Sequence, residues 1–326
     1  MSESLPGVTV IVAARPNEVE IPSVTAARQL DYPSGQLQIL VARGKQPSVQ
    51  RNAAVRAARG ELIYFLDDDS IPPADNLQRA VKLFADASVK MVGGPNLCPA
   101  TAPWLEQVFA LTLSSWLAFG PSRARYTPVG QTRAAGEKEL ILCNLMARRT
   151  DLLELGGFNE LLYPNEENAL MDELQQRGGK LIYDPQFMVH RRPRRNLKSF
   201  GKMLFTYGRG RAEQFRINPT TGSTLNFVPP LFYVYLVALG CGLIFAPALW
   251  KQIALAPLAF YALAVIGQTL ALIPRGGLIK SLGALPFIVL THLLYGLGFW
   301  RGLFTKLKTG AVERPKISVV LETIQP

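Results

Sequence analysis

Residues Glu61 to Ser70 read ELIYFLDDDS. Leu62, Ile63, Tyr64, Phe65 and Leu66 are a short apolar run of strand-forming residues, which predicts a buried parallel strand ending where Asp67, Asp68 and Asp69 begin. Three adjacent carboxylates repel one another. They become tolerable together when a divalent cation or hydrogen-bond donors stand between them. The carboxyl end of a strand is also where open α/β sheets bind ligands. Ile71, Pro72 and Pro73 then stop the strand and turn the acids into a loop; the alternative is a solvated acidic turn.

Working outward, Val8 to Ala13 (VTVIVA) reads as a first strand, with Arg15, Pro16, Asn17 and Glu18 as the turn after it. Pro22 to Leu30 reads as a helix, Leu37 to Ala42 as a second strand and Pro47 to Arg59 as a second helix. Strand, helix, strand, helix, strand at this spacing predicts a parallel sheet with right-handed crossovers, a Rossmann-like nucleotide-binding half. No GxGxxG follows the first strand, which argues against a dinucleotide.

The 326 residues leave room beyond one such domain, and the 48% hydrophobic content is high for a purely soluble enzyme. Its distribution explains the excess. Ile217 to Trp250, Gln252 to Pro274 and Ser281 to Trp300 carry no acid, lysine or arginine, and each has about the ~20 residues a bilayer crossing needs, or more. The amino-terminal MSESLPGVTVIVAARPNE lacks a basic stretch followed by an apolar one, so no secretory signal is expected and the first domain is placed in the cytoplasm. Cys98, Cys143 and Cys241 have no CxxC spacing and read as free thiols. The net charge of +11 comes without aromatic residues interleaved in an RNA-binding pattern, which excludes nucleic acid as the partner. The densest basic run, Arg191 to Arg216, has nine Lys or Arg against Glu213 alone and precedes the apolar stretches, so anionic membrane lipids are the expected partner of Arg191 to Lys198.

Four stretches together, VTVIVAARPNE, the Arg-Asn pair in QRNAAVRAARGELIYFLDDDS, GGFNE at Gly156 to Glu160, and NEENALMDELQQRG, resemble family-2 glycosyltransferases of the GT-A fold over roughly Val8 to Arg211. The resemblance implies a nucleotide-diphosphate sugar donor, Mg2+ or Mn2+ held by an Asp-x-Asp motif, and inversion at the sugar carbon. It is closest to membrane-attached members that build exopolysaccharide or lipid-linked glycans. Asp67 and Asp69 match the Asp-x-Asp pair, and hard carboxylates suit such an ion, which bridges the donor phosphates. Asp68, Arg15, Glu18 and Arg51 fall where the family binds the donor. Glu166 and Glu167 align with its Glu-Asp pair, which makes Glu167 the expected general base, with Glu166 the alternative. Their ordinary explanation is an acidic first helical turn that complements the helix dipole. His190, Arg209 and Arg211, the arginines lying in YGRGR, are the expected contacts to acceptor or diphosphate. One departure stands out: family members commonly carry acids after the second strand, one of which reads uracil, whereas here that place holds Ala42, Arg43, Gly44 and Lys45.

Pro103 to Gly120, with two tryptophans and Glu106 as its one charge, is expected to be an interfacial helix near the acceptor site; the alternative is an ordinary core helix. Ser122 to Glu139, with Arg123, Arg125, Arg133 and Lys138 among small residues, reads as a mobile loop able to close over a phosphate-bearing ligand. The expected organisation is α/β, a GT-A domain over 1–205 with a mostly parallel sheet, a juxtamembrane linker at 206–226, three membrane helices over 227–301 and a basic tail at 302–326. The product is a multi-pass protein of the inner or plasma membrane, whose acceptor is lipid-linked, polyprenyl carriers included. Three spans put the tail outside, while Arg301, Lys306, Lys308, Arg314 and Lys316 put it inside, so its side is left open. The rivals are a haloacid-dehalogenase-like phosphohydrolase using Asp67 as nucleophile, and a non-enzymatic membrane scaffold.

Overall fold

The computed structural model describes residues 5–160, 162, 165–217, 219, 221–245, 247–307 and 318–326. In chain order its elements are β1 (Val8–Ala14), α1 (Pro22–Ala27), β2 (Leu37–Arg43), α2 (Pro47–Ala57), β3 (Leu62–Asp67), α3 (Asn76–Leu83), β4 (Val89–Gly93) and β5 (Asn96–Leu97). Then come α4 (Trp104–Leu113), α5 (Trp116–Phe119), β6 (Arg133–Ala134), β7 (Asn144–Arg148), α6 (Arg149–Glu154), α7 (Glu166–Gln176), β8 (Lys180–Tyr183) and β9 (Val189–His190). The last are α8 (Leu197–Ile217), α9 (Val228–Phe245), α10 (Ala248–Phe304) and β10 (Val320–Ile324).

Two compact units emerge, and neither follows chain order. One takes in Met1–Pro99, Pro121–Arg192 and Thr309–Pro326; the other takes in Ala100–Gly120 and Pro193–Lys308. The expected boundary at 205 falls inside α8, so residues 206–217, read from the sequence as the start of a linker, continue a helix.

The α/β unit is built on a sheet of order β10-β2-β1-β3-β7-β4-β8-β6. Strands β1, β2, β3, β4 and β8 run one way and β6, β7 and β10 the other. The sheet is therefore mostly parallel, as expected. β1 and β3 are near-continuous apolar runs because helices cover both faces. Val10, Val12, Tyr64 and Leu66 feed the core on one face; Ile11, Ile63 and Phe65 feed the other, with Val55 of α2 and Leu170 of α7. Proline at the first turn of α1 and α2 costs no hydrogen bond and presets the helical φ. Beneath the carboxyl end of β3, Tyr64 Oη donates to Asn144 Oδ1 (2.8 Å), and Asn144 Nδ2 donates to Phe187 O (2.7 Å). This buried network ties β3 and β7 to the segment leading into β9.

In the helical unit, α4 packs with α8 and α10: Phe109 stacks on Phe200 at 4.1 Å between centroids and meets Phe287 edge-on at 5.0 Å. The Pro103 to Gly120 stretch is thus a core element of this unit, with Trp104 and Trp116 exposed. α8 crosses α10 closely. A Cβ on Gly208 would fall 2.0 Å from Tyr295 O, and one on Gly298 2.0 Å from Phe205 O, so small residues here let the backbones touch. Two helices, Thr224–Phe245 and Ala248–Phe304, are long and apolar enough to cross a membrane. The second and third apolar stretches, expected as separate helices, form one run broken at Gly277 (φ 72°). Of the tail, Lys308, Arg314 and Lys316 lie outside the described residues.

Candidate active site

The site assembles at the carboxyl end of β3. Asp67 is the strand's last residue, and the amide of Ser70 returns to Asp67 O at 3.1 Å, so the three acids occupy a tight turn. Burial, reinforced by Asp69 and Asp67 on either side, raises the pKa of Asp68. The cations that make this crowding tolerable are two arginines. Arg51, buried on α2, donates through Nη2 to Asp67 Oδ1 at 2.9 Å. Arg191 lies 3.1 Å from Asp67 Oδ2 and donates through Nε to Asp69 Oδ1.

Arg191 is held there by backbone pairing. Ile71 and His190 exchange both amide–carbonyl hydrogen bonds at 2.9 Å, and the Arg191 amide donates to Leu97 O at 2.9 Å. Burial alone lowers the pKa of this guanidinium; the carboxylates of Asp67 and Asp69 more than offset it, and the shift is upward. The sequence-level placing of Arg191 on lipid headgroups is therefore corrected. Beside it, burial pushes the Cys143 thiol up to about 12, which leaves it an inert core group.

Arg51 also reaches the second acidic pair, with Nη1 3.5 Å from Glu166 Oε1. Glu166 and Glu167 open α7 behind Asn165, whose φ of 94° turns the chain sharply into the helix. Glu166 is buried, and its Oε2 has no hydrogen-bond partner among the described residues. Burial first, and the adjacent Glu167 second, raise its pKa to about 8 against the pull of Arg51. The contact to Arg51 is long, so burial prevails and the shift is upward. Glu167 is partly exposed on the same turn.

The Arg-Asn pair divides its work. Asn52 Nδ2 donates to Phe158 O (2.9 Å) and Glu160 Oε1 (3.0 Å), and its Oδ1 accepts from the Phe158 amide (2.8 Å). Gly157 of GGFNE has φ 82°, and a Cβ there would stand 2.3 Å from Asn52 Oδ1. Only glycine fits that approach. Thus Asn52 clamps the loop that leads to α7 while Arg51 faces the acids. Gln50 bonds to Ala14 O (2.8 Å) and Ala42 O (2.6 Å), fixing the ends of β1 and β2.

Arg15 and Glu18 form the turn after β1, 3.9 Å apart, with Arg15 exposed. Arg209 and Arg211 belong to α8 of the helical unit, where Arg209 lies 3.4 Å from Glu213 and Arg211 donates to Gln214 (3.2 Å). The glycine of YGRGR at 208 serves the α8–α10 crossing. The Ser122–Glu139 stretch is tied down: Arg125 is buried and donates to Glu137 O (2.6 Å) and Asn168 Oδ1 (2.5 Å), and Arg133 pairs with Glu139 at the sheet edge. Sequence reasoning missed Arg191 and Asn52 as parts of this site. A basic residue directly after a strand that ends near the acids was the one available signal.

Among the described residues no three His, Cys, Asp or Glu side chains converge as a metal cage. Asp67 and Asp69 instead flank a guanidinium, a cation standing between two carboxylates. That donor set fits Mg2+ or Mn2+ bound by one or two carboxylates together with substrate phosphates.

Residues 2–205 match the family model described as glycosyltransferase like family 2. The chain belongs to that family. The pre-mycofactocin glycosyltransferases of two Mycobacterium tuberculosis strains, CDC 1551 / Oshkosh and H37Rv, are 26% identical over 164 residues, which is 50% of this chain and 34% of theirs. The match thus spans about a third of the curated relatives' length. Among solved structures, a mannosyltransferase from Pyrobaculum calidifontis in complex with GDP-Man and Mn2+ is 18% identical, with a TM-score of 0.51, covering 93% of this chain and 88% of that one. This likeness shows the GT-A fold. The family match sets aside the phosphohydrolase and the scaffold.

Proposed function

We propose that this glycosyltransferase family member transfers a sugar from a nucleotide-diphosphate sugar to a lipid-linked or membrane-proximal acceptor, with inversion at the sugar carbon. The observation that carries the reading is the convergence of Arg51 and Arg191 on Asp67 and Asp69, with Arg51 linking that cluster to Glu166. Two guanidiniums at the carboxyl end of β3 suit a diphosphate, which each can grip through paired N–H groups. Asp67 and Asp69 would hold Mg2+ or Mn2+, which when bound neutralises charge on the leaving diphosphate.

The transfer needs a base for the acceptor hydroxyl proton. Glu166 is buried against Arg51, so it serves to place the start of α7. Glu167, one residue on and partly exposed, is the base. It accepts the hydroxyl proton as the oxygen attacks the anomeric carbon from the face opposite the diphosphate. Arg15 and Glu18 border the nucleoside, Asp68 the ribose, and His190, Arg209 and Arg211 the acceptor or diphosphate. The two long apolar helices anchor the enzyme in the inner or plasma membrane, where an acceptor on a polyprenyl or similar lipid is delivered.

Thermal stabilisation of the detergent-purified chain by a panel of nucleoside diphosphates, with and without Mn2+, tests the donor class. GDP-mannose and UDP-sugars are the first probes. One metal-dependent shift, lost in Asp69→Asn, is expected; stabilisation by beryllofluoride and by no nucleotide would return the reading to phosphoryl chemistry.

A further inference from the structure

Strand β2 would be the open edge of the sheet, and an unpaired edge is an aggregation hazard that folded proteins cover. Here the cover comes from the far end of the chain. β10 pairs antiparallel with β2, Val320 opposite Arg43, Glu322 opposite Val41 and Ile324 opposite Ile39. Ile324 packs on the core face that holds Val10 and Tyr64, and Val319 on the face that holds Ile11 and Phe65. Gln325 O accepts from Arg28 Nε at 3.2 Å.

Glu322 does more than fill the strand. Its Oε1 accepts from Arg43 Nε at 2.7 Å, a diagonal pair across the two strands. The other end of the same guanidinium donates through Nη1 to Glu18 O at 2.6 Å and lies 3.4 Å from Arg15 O. A carboxylate near the carboxyl terminus, an arginine in the loop where an acid was expected, and the backbone of the turn after β1 therefore form one chain of charge-assisted bonds. Arg43 and Glu322 also line a cleft of about 710 Å³ with Val19, Glu20 and Arg28, so the pair shapes the surface beside that turn.

We propose that Glu322 is a positioning residue for donor binding: it holds Arg43 in the one orientation that fixes the Arg15–Glu18 turn, so the nucleoside pocket is completed by the carboxyl-terminal strand. This rests on the reading that the turn borders the donor nucleoside. Without the carboxylate, Arg43 is free to swing into solvent and the turn loses its only side-chain tie among the described hydrogen bonds. The nucleotide must then order the turn itself, which weakens binding without touching the groups that act at the sugar.

The test uses the full-length protein in detergent and the nucleoside diphosphate, with Mn2+, that stabilises wild type. Glu322→Ala is expected to weaken its binding about tenfold, the loss of one charge-assisted bond, and to raise the donor KM with kcat nearly unchanged. Glu322→Gln, which still accepts from Arg43, recovers most of the affinity. The charge swap Arg43→Glu with Glu322→Arg decides between docking and positioning. It restores the strand pair and the apo melting temperature but not nucleotide affinity, because a carboxylate at position 43 has no proton to donate to Glu18 O. Wild-type affinity in Glu322→Ala, or full recovery of affinity in the swap, overturns the proposal. A wild type that binds no nucleotide overturns the donor reading itself, and is distinguished by appearing before any variant is made.

Discussion

The guanidinium of Arg191 lies 3.1 Å from Asp67 Oδ2, in the place where an Asp-x-Asp pair would receive a metal ion. It also donates to Asp69, so the two carboxylates already share a cation. A free divalent ion must displace this arginine, at the cost of a bidentate contact, while a nucleotide diphosphate can accept the arginine as the metal enters. Mn2+ and nucleotide are therefore expected to bind with positive coupling. Arg191→Gln removes the competitor. Nucleotide-free Mn2+ affinity, read from the free-ion EPR signal, should rise about tenfold, while nucleotide affinity falls. Equal Mn2+ affinity in the two proteins would show that Arg191 does not compete for the site.

Glu166 and Glu167 should separate in kinetics. Glu167→Gln removes the proposed base, and kcat is expected to fall by about 10²- to 10⁴-fold with donor affinity unchanged. Glu166→Gln keeps the shape and an oxygen for Arg51, so most of kcat survives. A larger loss in Glu166→Gln than in Glu167→Gln would exchange the two assignments.

The same residue sets a pH dependence of stability. Burial raises the Glu166 pKa from 4.5 to about 8, with Glu167 and Asp67 adding to the rise and Arg51 opposing it. Between those values the folded chain holds a proton the unfolded chain has lost. The stability it contributes is thus fully present below pH 4.5 and falls as pH climbs through about 8. Glu166→Gln, neutral throughout, should flatten the slope of melting temperature against pH over that window and melt higher than wild type at pH 9. A slope identical in the two proteins would show that Glu166 is ionised when folded.

Asn52→Ala removes the clamp on the loop after α6. The Phe158 amide and carbonyl lose their partner inside the core, and an unsatisfied buried group costs about 1–3 kcal/mol. For a domain of this size the melting temperature should drop by roughly 2–4 °C per kcal/mol. Because the same loop leads into Glu166 and Glu167, kcat should fall as well, whereas a loss confined to stability would limit Asn52 to a structural part.

Much of this was legible in the sequence, and the reasons are local. The apolar runs of β1 and β3 and the proline-led α1 and α2 are set by neighbours in the chain, so the parallel half of the sheet follows from them. The acids of Asp67 to Asp69 announce themselves at a strand end. What escaped depends on partners distant in sequence. Arg191 looks like one member of a basic run until the Ile71–His190 pairing turns it toward the acids. Residues 104–113 look interfacial because their partners, Phe200 and Phe287, lie far along the chain. The VLETI stretch, residues 320–324, is too short to be told from a tail, and its pairing with β2 spans nearly the whole length of the protein.

That pairing bears on the membrane. Strands β2 and β10 share hydrogen bonds, so the chain before α8 and the chain after α10 occupy the same side of any bilayer. A path that leaves and returns to one side crosses an even number of times. If the apolar helices cross a bilayer while this pairing holds, an even number of crossings is expected rather than the three read from the sequence. α9, with 18 residues, extends about 27 Å, and α10, with 57, about 86 Å, against a hydrocarbon core of about 30 Å. The break at Gly277 divides α10 into two pieces, one of which must run along the interface or within the helical unit if α9 and the other cross. Epitope tags at the amino and carboxyl ends are expected to show the same protease accessibility in sealed inverted vesicles. Opposite accessibility would mean that β10 leaves the sheet in the membrane, and the Glu322 proposal would fall with it.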